Sequence, residues 1–183
     1  MPLPQKKIYT SDDYRNLPDG FRAVLIDGQF YDLAAPGRLH QHISYQLSQA
    51  IGSYIAANKG GCLVYPAPFS VNLDADDKNW VEPDISVICD RSKLTDHGCS
   101  GAPDLIVEVV SPSSRKMDYS MKNFLYSDAS VREYWIVDPE KNFTTVYYLE
   151  QDSAPTIIPF ANAIHSNIFP GLAVCIQDLL KDY

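Results

Sequence analysis

The sequence has few cysteines and histidines, and their spacing suits no metal centre. Cysteines stand only at 62, 89, 99 and 175, no two in C-x-x-C spacing, and the four histidines complete no zinc pattern. This weighs against a structural zinc, and the cysteines read as reduced thiols packed in or near the core. No run approaches the roughly 20 apolar residues of a membrane span. The opening "MPLPQKKIYTSDDY" lacks the apolar centre of a secretory signal, so a cytoplasmic protein is expected. A P-loop, a G-x-G-x-x-G and a G-x-S-x-G elbow are all missing. Positive charge is short too. The net charge of −8 argues against non-specific coating of nucleic acid. It leaves room for a locally basic cleft, and it suits an acidic site filled by a divalent cation.

What is present reads as one domain spanning residues 1–183, long enough to bury a core. A short capped helix is expected over Ser11 to Asn16. "FRAVLIDGQFYDLA" predicts a hairpin turned at Asp27-Gly28. Leu39, Ile43, Leu47, Ile51 and Ile55 recur every four residues and predict a long helix, closed by Gly60 and Gly61. "CLVYPAPFSVNL" supplies one or two strands, and "VEPDISVIC" another that Pro83 bounds at its start. "DRSKLTDHGCSGAP" reads as a loop with at most a helical turn. "DLIVEVV" is the clearest strand. Ser111 to Ser114 can cap a helix over about Arg115 to Asp128, with Met117, Met121, Phe124 and Leu125 as its apolar stripe. "REYWIVD" and "FTTVYYLE" are strands joined by "PEKN". "FPGLAVCIQDLL" gives a short strand and a last helical turn. The order predicts α/β or α+β, a mixed sheet flanked by helices.

Charge inside this pattern marks the candidate chemistry. Glu108 interrupts an apolar strand, and burying an ionised carboxylate without company is costly. Asp84 follows Pro83. If the two strands are neighbours, Asp84 and Glu108 converge, and a divalent cation resolves their repulsion; hard oxygen ligands suit Mg²⁺ or Mn²⁺. Asp118, Lys122 and Tyr126 form an i, i+4, i+8 row beside the apolar stripe, from which Lys122 can point back at Glu108. Plainer readings stand beside these. Asp84 can cap a turn, Glu108 can face solvent, Asp118 and Lys122 can be an exposed pair, and Tyr126 can be a packed aromatic. His40 and His42, at the start of the long helix, default to structural hydrogen bonding, though either could meet a phosphate or order a metal site. Ser44 and Gln46 read as solvated helix face.

"VEPDISVICDRSKL", "GAPDLIVEVVSPSS", the Asp-Lys-Tyr row of "DYSMKNFLY" and "VREYWIVDP" together resemble the Uma-type family. These are bacterial proteins described as restriction endonucleases, within the PD-(D/E)xK nuclease superfamily. The resemblance covers about Phe21 to Leu149 and rests on motif order and spacing. It implies a restriction-endonuclease-like fold, a central mixed sheet flanked by helices. It implies that Asp84 is the "PD" aspartate and Glu108 the second-motif acid. Val110 stands where the usual lysine would be, and the family's displaced lysine matches Lys122. The first-motif glutamate is missing at Val24, and the family histidine matches His40.

The resemblance also implies a chemistry. Asp84, Glu108 and the Val109 main-chain carbonyl would hold Mg²⁺ or Mn²⁺, which would polarise a phosphodiester and activate water. Lys122 would orient that water or stabilise the transition state. Arg115 and Lys116 would help hold the nucleic-acid backbone. The substrate would be nucleic acid, with DNA favoured, cut to a 5′-phosphate and a 3′-hydroxyl, and a homodimer is compatible because two strands need two sites. Two alternatives remain: a weak or inactive nucleic-acid-binding module that kept the fold, and a structural protein with a vestigial acidic pocket.

Overall fold

The structure, a computed structural model, describes residues 7–151, 153–181 and 183. The first six residues of the stretch assessed as a signal lie outside the described residues. Among those described, no helix is long and apolar enough to cross a membrane. The first helix, α1 (Ser11–Arg15), starts where the Asp13 carboxylate accepts the Thr10 N–H at 2.9 Å. Strands β1 (Ala23–Ile26) and β2 (Gln29–Asp32) pair antiparallel, with Asp27 and Gly28 both at positive φ as a tight two-residue turn requires. Helix α2 (Arg38–Ala57) follows, then β3 (Leu63–Pro66), β4 (Val71–Asn72), β5 (Trp80–Val81) and β6 (Ile85–Ile88). A 3₁₀ turn (Arg91–Lys93) leads to β7 (Leu94–Thr95), β8 (Gly98–Ser100) and β9 (Leu105–Val109). A π-helical segment (Met117–Lys122) runs into α3 (Asn123–Asp128). The chain closes with β10 (Glu133–Asp138), β11 (Phe143–Tyr148), β12 (Thr156–Pro159), β13 (Ala163–His165), β14 (Ala173–Cys175) and α4 (Ile176–Leu179).

The central sheet has the order β12-β11-β10-β9-β6-β3. Its one parallel pair, β9 with β10, is crossed over by the π and α3 helix, and the other neighbours are antiparallel. Both faces are covered, which explains why β9 and β10 are buried at every residue. On one face Ile43, Leu47, Ile51 and Ile55 of α2 pack on Ile85, Val87, Leu105 and Val107. On the other, Ile106 and Val110 meet Val24, Val71 and Val81 of a second sheet, ordered β2-β1-β5-β4-β8-β7. This is the mixed α+β architecture expected, with large sheets flanked by helices.

Several local expectations need correction. Cys62 and Cys89 are joined by a disulfide across β3 and β6; only Cys99 and Cys175 are free thiols. Their sequence separation hid a pairing that the antiparallel register of β3 with β6 creates. "VEPDISVIC" is two strands, because Pro83 breaks the ladder and the chain changes sheet there. The 90–103 loop contains the β7–β8 hairpin. Lys59, not a glycine, takes the left-handed φ that ends α2, while Gly60 donates its N–H to the Ile55 carbonyl at 2.8 Å.

The largest correction concerns the segment after β9. Ser111 and Ser114 exchange N–H to Oγ hydrogen bonds of 3.0 and 3.1 Å, so the expected cap forms. Half of the expected apolar stripe faces inward: Met117 and Leu125 are partly buried against the core. Met121 and Phe124 are exposed, whereas Asp118, Lys122 and Tyr126 are buried. An i, i+4 row on an α-helix drifts by about 40° at each step. The wider π turn over Met117–Lys122 drifts the opposite way, which keeps the polar row in line.

Candidate active site

Two strands and one helix position the charged group. Asp84 sits at the sheet-changing corner before β6, Glu108 near the end of β9, and Lys122 at the end of the π segment. Strands β6 and β9 are neighbours, with Ile85 opposite Val107. Lys122 Nζ stands 2.9 Å from Glu108 Oε1, and the Tyr126 hydroxyl donates to that same oxygen at 2.6 Å. Glu108 therefore has company rather than solvent. Asp118 Oδ1 is 3.0 Å from Lys122 Nζ, but off the hydrogen-bonding angle, and neither Asp118 oxygen accepts a hydrogen bond. The Tyr134 hydroxyl donates to the Asp118 backbone carbonyl at 3.2 Å and ties the π segment to β10.

Asp84 is held just as firmly. Its Oδ2 accepts the Val109 N–H at 2.7 Å, and His40 Nε2 lies 3.1 Å from the same oxygen. Val109 is thus seen to contribute its N–H to Asp84. Ser44 is buried, and its hydroxyl approaches the Asp84 main-chain carbonyl at 3.4 Å. Reading Ser44 as solvated was wrong; its i+4 spacing from His40 carried the signal, since both lie on one side of α2. His42 turns elsewhere, its Nε2 lying 3.0 Å from the Leu179 carbonyl.

Electrostatics follow from enclosure. Burial pushes the Glu108 carboxyl up, to about 8; Asp118 and Asp84 push the same way, against the Lys122 ammonium and the Tyr126 hydroxyl. Burial works to lower Lys122, yet Glu108 and Asp118 outweigh it, and its pKa moves upward. Burial likewise opposes the charged form of His40, and the bond and charge of Asp84 overcome it, so His40 is also raised. Carboxylates outnumber the cation Lys122 in this buried group.

That imbalance decides whether a divalent cation fits. Asp84 and Glu108 each commit one oxygen to protein donors and keep the other free of hydrogen bonds. The sealed, unpartnered atoms include both Asp118 oxygens and His40 Nδ1, but neither of those two free oxygens. Hard oxygen donors, few protein ligands and the negative charge left once Glu108 gives up its proton suit Mg²⁺ or Mn²⁺, which keep waters in their shell. No group of three or more His, Cys, Asp or Glu that could hold a metal ion occurs among the described residues.

Other expected positions behave differently. Val24 is fully buried in the apolar cluster that includes Ile106 and Val110, so no acid enters from β1. Arg115 does not face outward for nucleic acid; its guanidinium is paired with Asp138 and Glu140. Lys116 is exposed.

Comparison with known proteins agrees with this architecture. A crystal structure described as "a putative nuclease belonging to DUF820" from Anabaena variabilis superposes with a TM-score of 0.74 at 20% identity, covering 93% of this chain and 96% of that one. An uncharacterized protein from Synechocystis is 27% identical over 127 residues; the match takes in 69% of this chain and 65% of that protein's length. The profile of the Uma2 family, described as "Putative restriction endonuclease", matches residues 11–177. The chain belongs to the Uma2 family.

Proposed function

We propose that this protein is a bacterial, cytoplasmic, divalent-metal-dependent nuclease that hydrolyses phosphodiester bonds, with DNA as substrate. The observation that carries the reading is the 2.9 Å contact between Lys122 Nζ and Glu108 Oε1, reached from the helix that follows the strand. It supplies from Lys122 the cation missing at Val110, completing a PD-(D/E)xK-type set of Asp84, Glu108 and Lys122. Asp84 and Glu108, with the Val109 carbonyl, would hold Mg²⁺ or Mn²⁺. When bound, that ion supplies Lewis-acid polarisation of the phosphate and a water of lowered pKa.

The chain's own groups orient the rest. Tyr126 and Lys122 fix one oxygen of Glu108, so the other points in a defined direction. The Val109 N–H and His40 do the same for Asp84. Lys122 holds its proton and stabilises negative charge on the phosphate as the attacking oxygen approaches, or orients that oxygen. Asp118 keeps Lys122 charged. Cleavage leaves a 5′-phosphate and a 3′-hydroxyl, and a homodimer would present two sites to two strands.

One observation favours a second reading. The buried Val24 removes the first-motif acid, which would suit a weak or inactive nucleic-acid-binding module. Incubation of supercoiled, linear and single-stranded DNA, and of RNA, with Mg²⁺ or Mn²⁺ separates the two. Cleavage of DNA that Glu108→Gln and Lys122→Ala each abolish is expected, with Glu108→Gln deciding if Lys122→Ala fails to fold. No cleavage of any substrate, or cleavage surviving both substitutions, overturns the nuclease reading.

A further inference from the structure

A cleft of about 630 Å³ opens between α2 and β3, the strand that ends the central sheet, and Asp84 lines it. Its volume is that of a small-molecule or nucleotide site, for which about 300–1,000 Å³ is usual. Small side chains make the room: Ser44, Ser48 and Gly52 along α2, and Ala67 beyond β3. A side chain at Gly52 would project toward this space, its Cβ meeting only Val64 at 4.0 Å. Tyr45, on the same wall, is 60% exposed and presents an aromatic ring with no packing partner among the described aromatic pairs. Gln41 and Gln49 add amides that can both donate and accept. Arg91 is the one cation among the lining residues.

We propose that this cleft takes an unpaired nucleotide of the scissile strand, with Tyr45 as its stacking platform and Asp84 at its reacting end. This rests on the nuclease reading and adds the form of the substrate: single-stranded DNA, or a duplex locally opened. A cavity of this size admits one nucleotide and not a base-paired helix. Base stacking on an exposed aromatic is sequence-tolerant and strong, which compensates for the scarcity of cations. Strand addition of a peptide to β3 is disfavoured, because Pro66 lies in the edge and lacks an N–H.

The test is binding, which stands apart from cleavage. A fluorescent oligothymidylate and a hairpin duplex of equal length are titrated with the full chain in EDTA. The single strand is expected to bind more tightly. Tyr45→Ala weakens it by about tenfold, while Tyr45→Phe keeps it. Gly52→Leu fills the cleft, improves helix propensity and blocks binding. With one cation in the cleft, log K falls with log salt at a slope near −0.7. Equal affinity for duplex and single strand, or indifference to Tyr45→Ala and Gly52→Leu in folded variants, overturns the proposal. Failure of cleavage with these binding results intact would sink the nuclease reading and leave the cleft as a single-strand binding site with no scissile role for Asp84.

Discussion

Lys122 Nζ and Glu108 Oε1 are 2.9 Å apart, both side chains almost fully buried. The pair joins a strand to the helix after it, and its energetics are those of enclosed charge. Removing one partner strands the other in an apolar setting, at a cost of about 3–5 kcal/mol. Urea denaturation of Lys122→Met above about pH 8, where Glu108 is ionised, should show a loss of that size. The double variant Lys122→Met/Glu108→Gln should recover at least about 1 kcal/mol of it, because the stranded charge is gone. Strict additivity of the two single losses would mean that the groups do not interact.

Stability should fall as pH rises in metal-free protein. The Glu108 carboxyl is raised by burial from the usual carboxylate range to about 8, so between these values the folded chain binds more protons than the unfolded one. His40 is raised too and acts in the same direction. The contribution is full below the unfolded carboxylate pKa and is lost as pH climbs through about 8, at about 1 kcal/mol per pH unit inside the window. Denaturation across that range checks it, and Glu108→Gln should remove most of the slope.

A cation must displace the Glu108 proton. Mn²⁺ should therefore raise the melting temperature more at about pH 8.5 than at about pH 6. Asp84→Asn and Glu108→Gln should each abolish the shift. A shift of equal size at both values would place the ion elsewhere.

The disulfide is checked by counting thiols. Unreduced, denatured protein should react with thiol reagent at Cys99 and Cys175 alone. Joining Cys62 to Cys89, 27 residues apart, constrains the unfolded chain, and Cys62→Ser/Cys89→Ser should cost about 3–4 kcal/mol. Four reactive thiols would remove that contribution.

Much of the fold was legible because periodicity reports burial. The stripe of Ile43, Leu47, Ile51 and Ile55 packs as its spacing required, and Asp27-Gly28 turns the hairpin. The carboxylate in β9 announced company, since a buried charge demands it. What local pattern hid was long-range or phase-dependent. The Cys62–Cys89 bond depends on the register of β3 with β6, and the β7–β8 hairpin on pairing with β4. Met121 and Phe124 looked like a buried stripe because hydropathy assumes an even α turn. The π segment shifts the phase and turns Asp118, Lys122 and Tyr126 inward instead. Val24 stands where the resemblance implies a first-motif acid, and its burial shows that β1 offers apolar packing there.

Asp84 and Glu108 are proposed to form one cation site beside Lys122. A crystal structure of the full chain grown with Mn²⁺, read by anomalous scattering at the manganese edge, tests it directly. A manganese peak coordinated by the oxygens of Asp84 and Glu108 is expected, absent in Glu108→Gln crystals. A peak elsewhere, or none at saturating Mn²⁺ with Lys122 Nζ still bonded to Glu108, would contradict it.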